Sequence, residues 1–198
     1  MATYSLVHGA WHGGWAWDFV RAELERHGHV VHTPDLPSED VDAGLDDYAA
    51  VVPPCDVVVG HSLGGYTIAR IEAAVRVYVC ALVPGAPPQF VPGFGDSRVR
   101  DELGRSYYPD WRDGARELQY PDAHRRLAQL LRRQARIADP GAGATDGVYV
   151  VCTRDACVSP RWQRAIAARF TRVDLDAGHS PMLTHPRELA ELLLRVEL

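Results

Sequence analysis

The stretch Val59-Gly60-His61-Ser62-Leu63-Gly64-Gly65 constrains this chain more than any other. It follows the apolar run Val57-Val58-Val59, which reads as a buried strand, and precedes Tyr66-Thr67-Ile68-Ala69-Arg70-Ile71, which reads as a helix. A Gly-x-Ser-x-Gly pattern between a strand and a helix forms a turn so tight that the serine takes a strained backbone conformation and its hydroxyl stands above the sheet. Gly60 and Gly64 fall where a β-carbon would strike the neighbouring strand or helix. The helix that follows turns its free N–H groups toward the serine. Ser62 is therefore the candidate nucleophile.

A strand-turn-helix of this kind needs a sheet around it, and the rest of the chain supplies one. Strand-like runs at 4–7, 29–32, 56–59, 75–83, 148–152 and 172–175 alternate with helix-like segments at 15–26, 45–52, 62–74, 160–169 and 186–196. Such alternation builds a parallel sheet covered on both faces, with about six strands joined by right-handed crossovers. With 198 residues, one domain over 1–198 is expected. Its core is 1–83 and 147–198. The stretch of about 84–146 breaks the rhythm. It opens Pro/Gly-rich and carries Phe90, Phe94, Tyr107, Tyr108, Trp111 and Tyr120. Its end, 122–138, places Leu127, Leu130, Leu131 and Ile137 at helical spacing. An aromatic insertion after the fourth strand is expected to be a short cap over the site.

A serine hydroxyl needs a base in contact and an acid to orient that base. In this architecture the partners follow in the order Ser, Asp/Glu, His, on loops at the carboxyl ends of later strands. Of nine histidines, His179 sits in the expected place, after the last strand in Asp176-Ala177-Gly178-His179-Ser180-Pro181. Asp155 lies three residues past the strand ending at Cys152 and is the expected acid. Asp176 competes with it, while Asp139 and Asp146 precede the strand and so lie at its wrong end. The oxyanion needs two backbone N–H donors. Leu63, just after the nucleophile, supplies one, and Ala10 in the first loop, His8-Gly9-Ala10-Trp11-His12-Gly13-Gly14-Trp15, supplies the other. His8 and His12 are four apart, but the glycines forbid the helix that would make them a zinc pair, so they are read as holding the loop through hydrogen bonds. No metal site is expected.

The first loop together with Gly60-His61-Ser62-Leu63-Gly64-Gly65 resembles the α/β-hydrolase superfamily, and within it the branch of plant methyl esterases, hydroxynitrile lyases and bacterial esterase relatives. Cys152-Thr153-Arg154-Asp155 and Gly178-His179-Ser180-Pro181-Met182-Leu183 match that branch's acid and base positions, and 121–132 is similar to its cap helix. The resemblance implies an α/β-hydrolase fold and hydrolysis of a small carboxylic ester through an acyl-enzyme, with no cofactor. It also brings Trp11, His12 and Met182 forward as substrate-binding positions. The branch's lyases carry a threonine after the first-loop histidine and a lysine after the catalytic histidine, where this chain has Gly9 and Ser180, which favours the esterase. Lyase, thioesterase or cyclase chemistry on the same site, or small-molecule binding with little turnover, are the alternatives. Members are usually longer; here the segment before the elbow strand and the cap both read as trimmed.

Charge and cysteine usage narrow the partners. A net charge of −5 with mixed signs does not suit a nucleic-acid or anionic membrane surface. The first residues, Met1-Ala2-Thr3-Tyr4, run straight into a strand and read as lacking a signal peptide. Cys55, Cys80, Cys152 and Cys157 are scattered, as reduced thiols are, so a cytoplasmic protein acting on a small-molecule ester is expected.

Overall fold

The computed structural model describes residues 1–137 and 140–196. In chain order the strands are β1 (Thr3–Val7), β2 (Val30–His32), β3 (Val57–His61), β4 (Val75–Val79), β5 (Val99–Arg100), β6 (Ser106–Tyr107), β7 (Val148–Cys152) and β8 (Thr171–Leu175). The helices are α1 (Asp18–Arg26), α2 (Leu45–Ala50), α3 (Gly64–Ile68), α4 (Trp111–Glu117), α5 (Pro160–Ala167), α6 (Pro181–Thr184) and α7 (Pro186–Leu194), with 3-10 turns at Gly14–Trp17 and Asp122–Leu130. Six strands form one all-parallel sheet in the order β2-β1-β3-β4-β7-β8.

The unbroken apolar runs follow from burial on both faces of that sheet. Successive side chains of a strand point to opposite faces. Val57 and Val59 of β3, Val77 and Val79 of β4, and Val150 and Cys152 of β7 enter one core with Val20 and Leu24 of α1 and Leu189 and Leu193 of α7. Val58, Tyr78, Tyr149 and Val151 enter the other, against Leu45 and Tyr48 of α2, Ile68 of α3 and Trp162 of α5. Parallel pairing brings every strand's carboxyl end to the same side, and the loops after β1, β3, β7 and β8 meet there.

Between β4 and β7 the chain leaves the sheet. This excursion holds the antiparallel β5–β6 ribbon, α4 and the second 3-10 turn. Three elements differ from the sequence expectation. The elbow helix was expected over 62–74 and ends at Ile68, because the Ala69 and Ile71 carbonyls accept from Ala144 N (2.8 Å) and the Arg76 guanidinium (2.7 Å) in place of continuing the ladder. The strand expected over 75–83 stops at Val79, where Cys80 takes a left-handed φ of 38° and turns the chain. The helix expected over 122–138 is a 3-10 turn over Asp122–Leu130; of its leucines, Leu130 is half exposed, and Ala138 lies outside the described residues, as does Asp139. The turn ends at Leu130 and Leu131 is already extended, with ψ 135°, so Leu131 and Ile137 do not continue the helical stripe.

Candidate active site

At the end of β3 the chain turns sharply at Ser62, whose φ is 51°. That region is disfavoured for a residue with a β-carbon, and it is held by the turn's own bonds. Ser62 N donates to Val79 O at 3.2 Å, and Ser62 O accepts from Leu82 N at 2.9 Å and Gly65 N at 3.1 Å. A β-carbon at Gly60 would lie 2.8 Å from Gly64 O, and one at Gly64 would lie 2.7 Å from His8 O. The flanking positions thus admit only glycine without a shift of the backbone around them.

His179 lies on the loop between β8 and α6, and Asp155 on the loop after β7. His179 Nδ1 and Asp155 Oδ2 are 2.9 Å apart, with the two residues only 2% and 3% exposed. A carboxylate there accepts, so Nδ1 carries a proton. Asp155 is fixed by three further bonds: Oδ1 accepts from Cys157 N (2.7 Å) and Val158 N (3.0 Å), and Oδ2 from Gln163 Nε2 (2.8 Å). Burial works to lower the His179 pKa, but the Asp155 carboxylate and the neighbouring Cys157 together outweigh it and hold the imidazole well above its ordinary value. Asp176, the competing acid, is spent elsewhere. It is exposed, pairs with Arg154 at 2.9 Å and accepts from Thr153 Oγ1 at 3.0 Å.

His61, directly before Ser62, ties the two halves together. Its Nε2 donates to His179 O at 2.7 Å, and the two imidazole rings lie 4.8 Å apart. Complete burial holds His61 neutral, well below its ordinary pKa. Among the described residues no hydrogen bond joins Ser62 Oγ to His179. Such contacts are often long before substrate binds and close in the complex.

Ala10 and Leu63 border the same cavity as Ser62. Among the described residues neither backbone N–H has a hydrogen-bond partner. The loop that carries Ala10 is braced by two neutral histidines. His8 donates from Nδ1 to Gly9 O (2.9 Å) and accepts from Leu36 N at Nε2 (3.0 Å). His12 donates from Nδ1 to Ala10 O (2.9 Å) and accepts from Tyr120 Oη at Nε2 (2.8 Å). Burial lowers their pKa values to about 4 and about 3.

The three expected substrate-binding positions divide. Trp11, in a left-handed turn with φ 63°, borders the cavity and donates its indole N–H to Ser106 Oγ at 3.0 Å. His12 does not border it, since both ring nitrogens are used beneath the loop and the residue is 1% exposed. Met182 is fully buried, because α6 turns it into the core beneath the site. The expectation for these two is corrected accordingly.

Gln119 was not singled out in the sequence, yet it binds both the Asp155 loop and the His179 loop. It follows α4 with a left-handed φ of 56°. Its Oε1 accepts from His179 N (2.9 Å) and Ala156 N (2.7 Å), and its Nε2 donates to Arg154 O (3.1 Å). Gln163, which aligns Asp155, was also missed; its place eight residues beyond the acid, on the helix that follows, was a usable signal. For Gln119 the sequence offers none, because its partners lie 35, 37 and 60 residues away.

Two groups of donors among the described residues come close enough to suggest a cation, His61-Cys80-His179 and Asp155-Cys157-His179. Both share His179, and their other atoms already serve the site. His61 Nε2 donates to His179 O, Cys157 Sγ contacts Glu117 O at 3.0 Å, and Asp155 holds four hydrogen bonds. The groups read as packing around the imidazole.

Residues 6–192 match the model of the alpha/beta hydrolase family. The chain belongs to that family. A carbendazim hydrolyzing esterase of a Nocardioides species is 37% identical, with 98% of each chain covered. Methylesterase 3 of Arabidopsis thaliana is 26% identical, with 96% of this chain and 94% of that one covered. The fold is also that of a pyrethroid hydrolase from Sphingobium faniae, at a TM-score of 0.77 and 23% identity over 97% of this chain and 95% of that one. Within the family the chain falls in the branch of the plant methylesterases and is an alpha/beta ester hydrolase. The alignment with the Nocardioides hydrolase takes 251 positions against 198 residues here, so that alpha/beta hydrolase has additional residues inside the matched region. No helix among the described residues is long and apolar enough to cross a membrane.

Proposed function

We propose that this alpha/beta hydrolase is a serine esterase cleaving a small carboxylic ester with an apolar part, through Ser62, His179 and Asp155. The observation that carries the reading is the 2.9 Å bond from His179 Nδ1 to a carboxylate fixed by three other donors, in the loop that His61 binds to the strained serine turn. That bond commits the imidazole to one tautomer and leaves Nε2 as the base. Ser62 Oγ attacks the ester carbonyl while its proton passes to Nε2. Asp155 stabilises the imidazolium that forms. The carbonyl oxygen becomes an oxyanion held by the unengaged Ala10 and Leu63 N–H groups, and loss of one such donor typically costs about 100- to 1000-fold in turnover. His179 returns the proton to the departing alcohol. Water then attacks the acyl-enzyme with Nε2 as base, releasing the acid and restoring Ser62.

The surroundings favour hydrolysis over lyase chemistry. A β-carbon at position 9 would lie 2.8 Å from Ser62 Cβ, so a threonine is not accommodated beside the nucleophile. Ser180 is buried and donates to Leu118 O at 2.6 Å, which leaves no cation after His179. Four free cysteines among the described residues support a reducing, cytoplasmic setting.

Labelling by a fluorophosphonate probe and turnover of 4-nitrophenyl acetate test the reading. Both are expected in the native chain and both are expected to vanish in Ser62→Ala, with turnover also lost in His179→Ala. Unchanged turnover in Ser62→Ala would end it.

A further inference from the structure

The cavity beside Ser62 holds about 440 Å³ and is lined in part by Trp11, Phe90 and Phe94. Arg98, Arg100 and Arg136 also line it, and among the described residues no aspartate or glutamate borders it. This is unusual in a chain whose acidic residues outnumber its basic ones, 26 to 21. Among the described residues none of the three arginines forms a salt bridge, whereas Arg105 and Arg133, on the same excursion, both pair with Asp101.

Arg98 is the most constrained of the three. Its guanidinium carbon sits 4.6 Å from the Trp11 ring centre and 4.8 Å from that of Phe94, and its Nε donates to Gly95 O at 3.3 Å. Phe94 lies 6.3 Å, ring to ring, from His179. The same loop passes near Glu117, but that carboxylate accepts from Gly95 N, Ser97 N and Tyr108 Oη. The terminal nitrogens of Arg98 therefore keep their donors open among the described residues. A planar guanidinium steadied by two aromatic faces, with a free fork of N–H groups, is preorganised to take a carboxylate in a two-point contact.

We propose that the substrate is an ester carrying a second, ionised carboxylate, which Arg98 binds while Arg100 and Arg136 draw it in from the rim. This rests on the esterase reading above and specifies its substrate class. The aromatic wall takes the apolar stem, and the carbonyl between the two ends is left at Ser62.

The test compares 4-nitrophenyl hydrogen succinate, glutarate and adipate with the neutral 4-nitrophenyl pentanoate, and 4-acetoxybenzoate with phenyl acetate. The first set places the charge on the acyl part, the second on the alcohol part. At least one anionic ester is expected to exceed its neutral counterpart in kcat/KM by about ten- to a hundredfold, the contribution of a charge-assisted hydrogen bond. Raising the ionic strength is expected to erode that preference in the native chain, which needs no variant to fold. Arg98→Gln is expected to collapse the ratio and Arg98→Lys to restore part of it. Turnover of every ester with no anionic preference would overturn the inference and leave the esterase reading standing. A preference that survives in Arg98→Gln and in the triple Arg98→Gln, Arg100→Gln, Arg136→Gln chain would overturn it too. Failure to turn over any ester, charged or neutral, would defeat the esterase reading itself.

Discussion

Gln119 offers the sharpest quantitative prediction, because its side chain and its backbone act in opposite directions. Replacing it with alanine removes three hydrogen bonds, to His179 N, Ala156 N and Arg154 O. At about 1 kcal/mol net for each, the loss is about 3 kcal/mol. Alanine also keeps the cost of the left-handed conformation at φ 56°. Glycine removes the same three bonds but relieves about 1 kcal/mol of that cost, so it should lose about 2 kcal/mol. In a chain of 198 residues, 1 kcal/mol moves Tm by about 2–4 °C. The expected falls are then about 6–12 °C for Gln119→Ala and about 4–8 °C for Gln119→Gly. Catalysis should not follow that ranking. Both variants free the His179 backbone equally, and a base displaced by about 1 Å costs on the order of a hundredfold. Thermal melts and initial rates with 4-nitrophenyl acetate should show kcat falling about ten- to a hundredfold in both. KM should change little, because Gln119 does not border the cavity. A folded Gln119→Ala with native kcat would refute the reasoning and reduce Gln119 to a purely structural tie.

Two predictions concern pH. With His179 as the proposed base, activity is expected to fall as pH drops through that group's pKa, which Asp155 helps to raise; Asp155→Asn should move the acid limb of kcat/KM to lower pH while depressing its plateau, and a limb that stays in place would contradict the assignment. His8 and His12 have folded pKa values lowered to about 4 and about 3, so the unfolded chain binds protons that the folded one refuses. Their contribution is complete above the unfolded value near 6.5 and drains away as pH falls toward 4, by up to about 1.4 kcal/mol per pH unit for each. Tm should therefore drop steadily over that range, and His12→Gln should flatten the slope; equal slopes in the two chains would count against it.

Much of the site was legible because backbone chemistry dictates it. A strand, a glycine, a serine and another glycine admit few arrangements, and the order of acid and base along the chain follows from where parallel strands end. Ser62, Asp155 and His179 were singled out that way, as were Ala10 and Leu63, whose N–H groups have no hydrogen-bond partner among the described residues. What could not be read was the direction of side chains within loops. His12 and Met182 share motifs with site residues but point beneath them. Gln119 and Arg98 take their meaning from neighbours far along the chain, and nothing in their local sequence announces it. The elbow helix was overestimated because its apolar pattern continues past Ile68, while its last carbonyls are claimed by Ala144 and Arg76 from elsewhere.

Among the described residues four other than glycine adopt left-handed backbone, and they are Trp11, Ser62, Cys80 and Gln119. Each belongs to a different segment, yet Trp11 and Ser62 border the cavity, Cys80 Sγ contacts His179 O, and Gln119 holds His179 N. The fold has thus gathered its least comfortable joints around the reacting groups, with the comfortable sheet beneath. On warming, those joints are the first with something to gain from relaxing, so the molecule should fall silent as a catalyst while its strands are still paired.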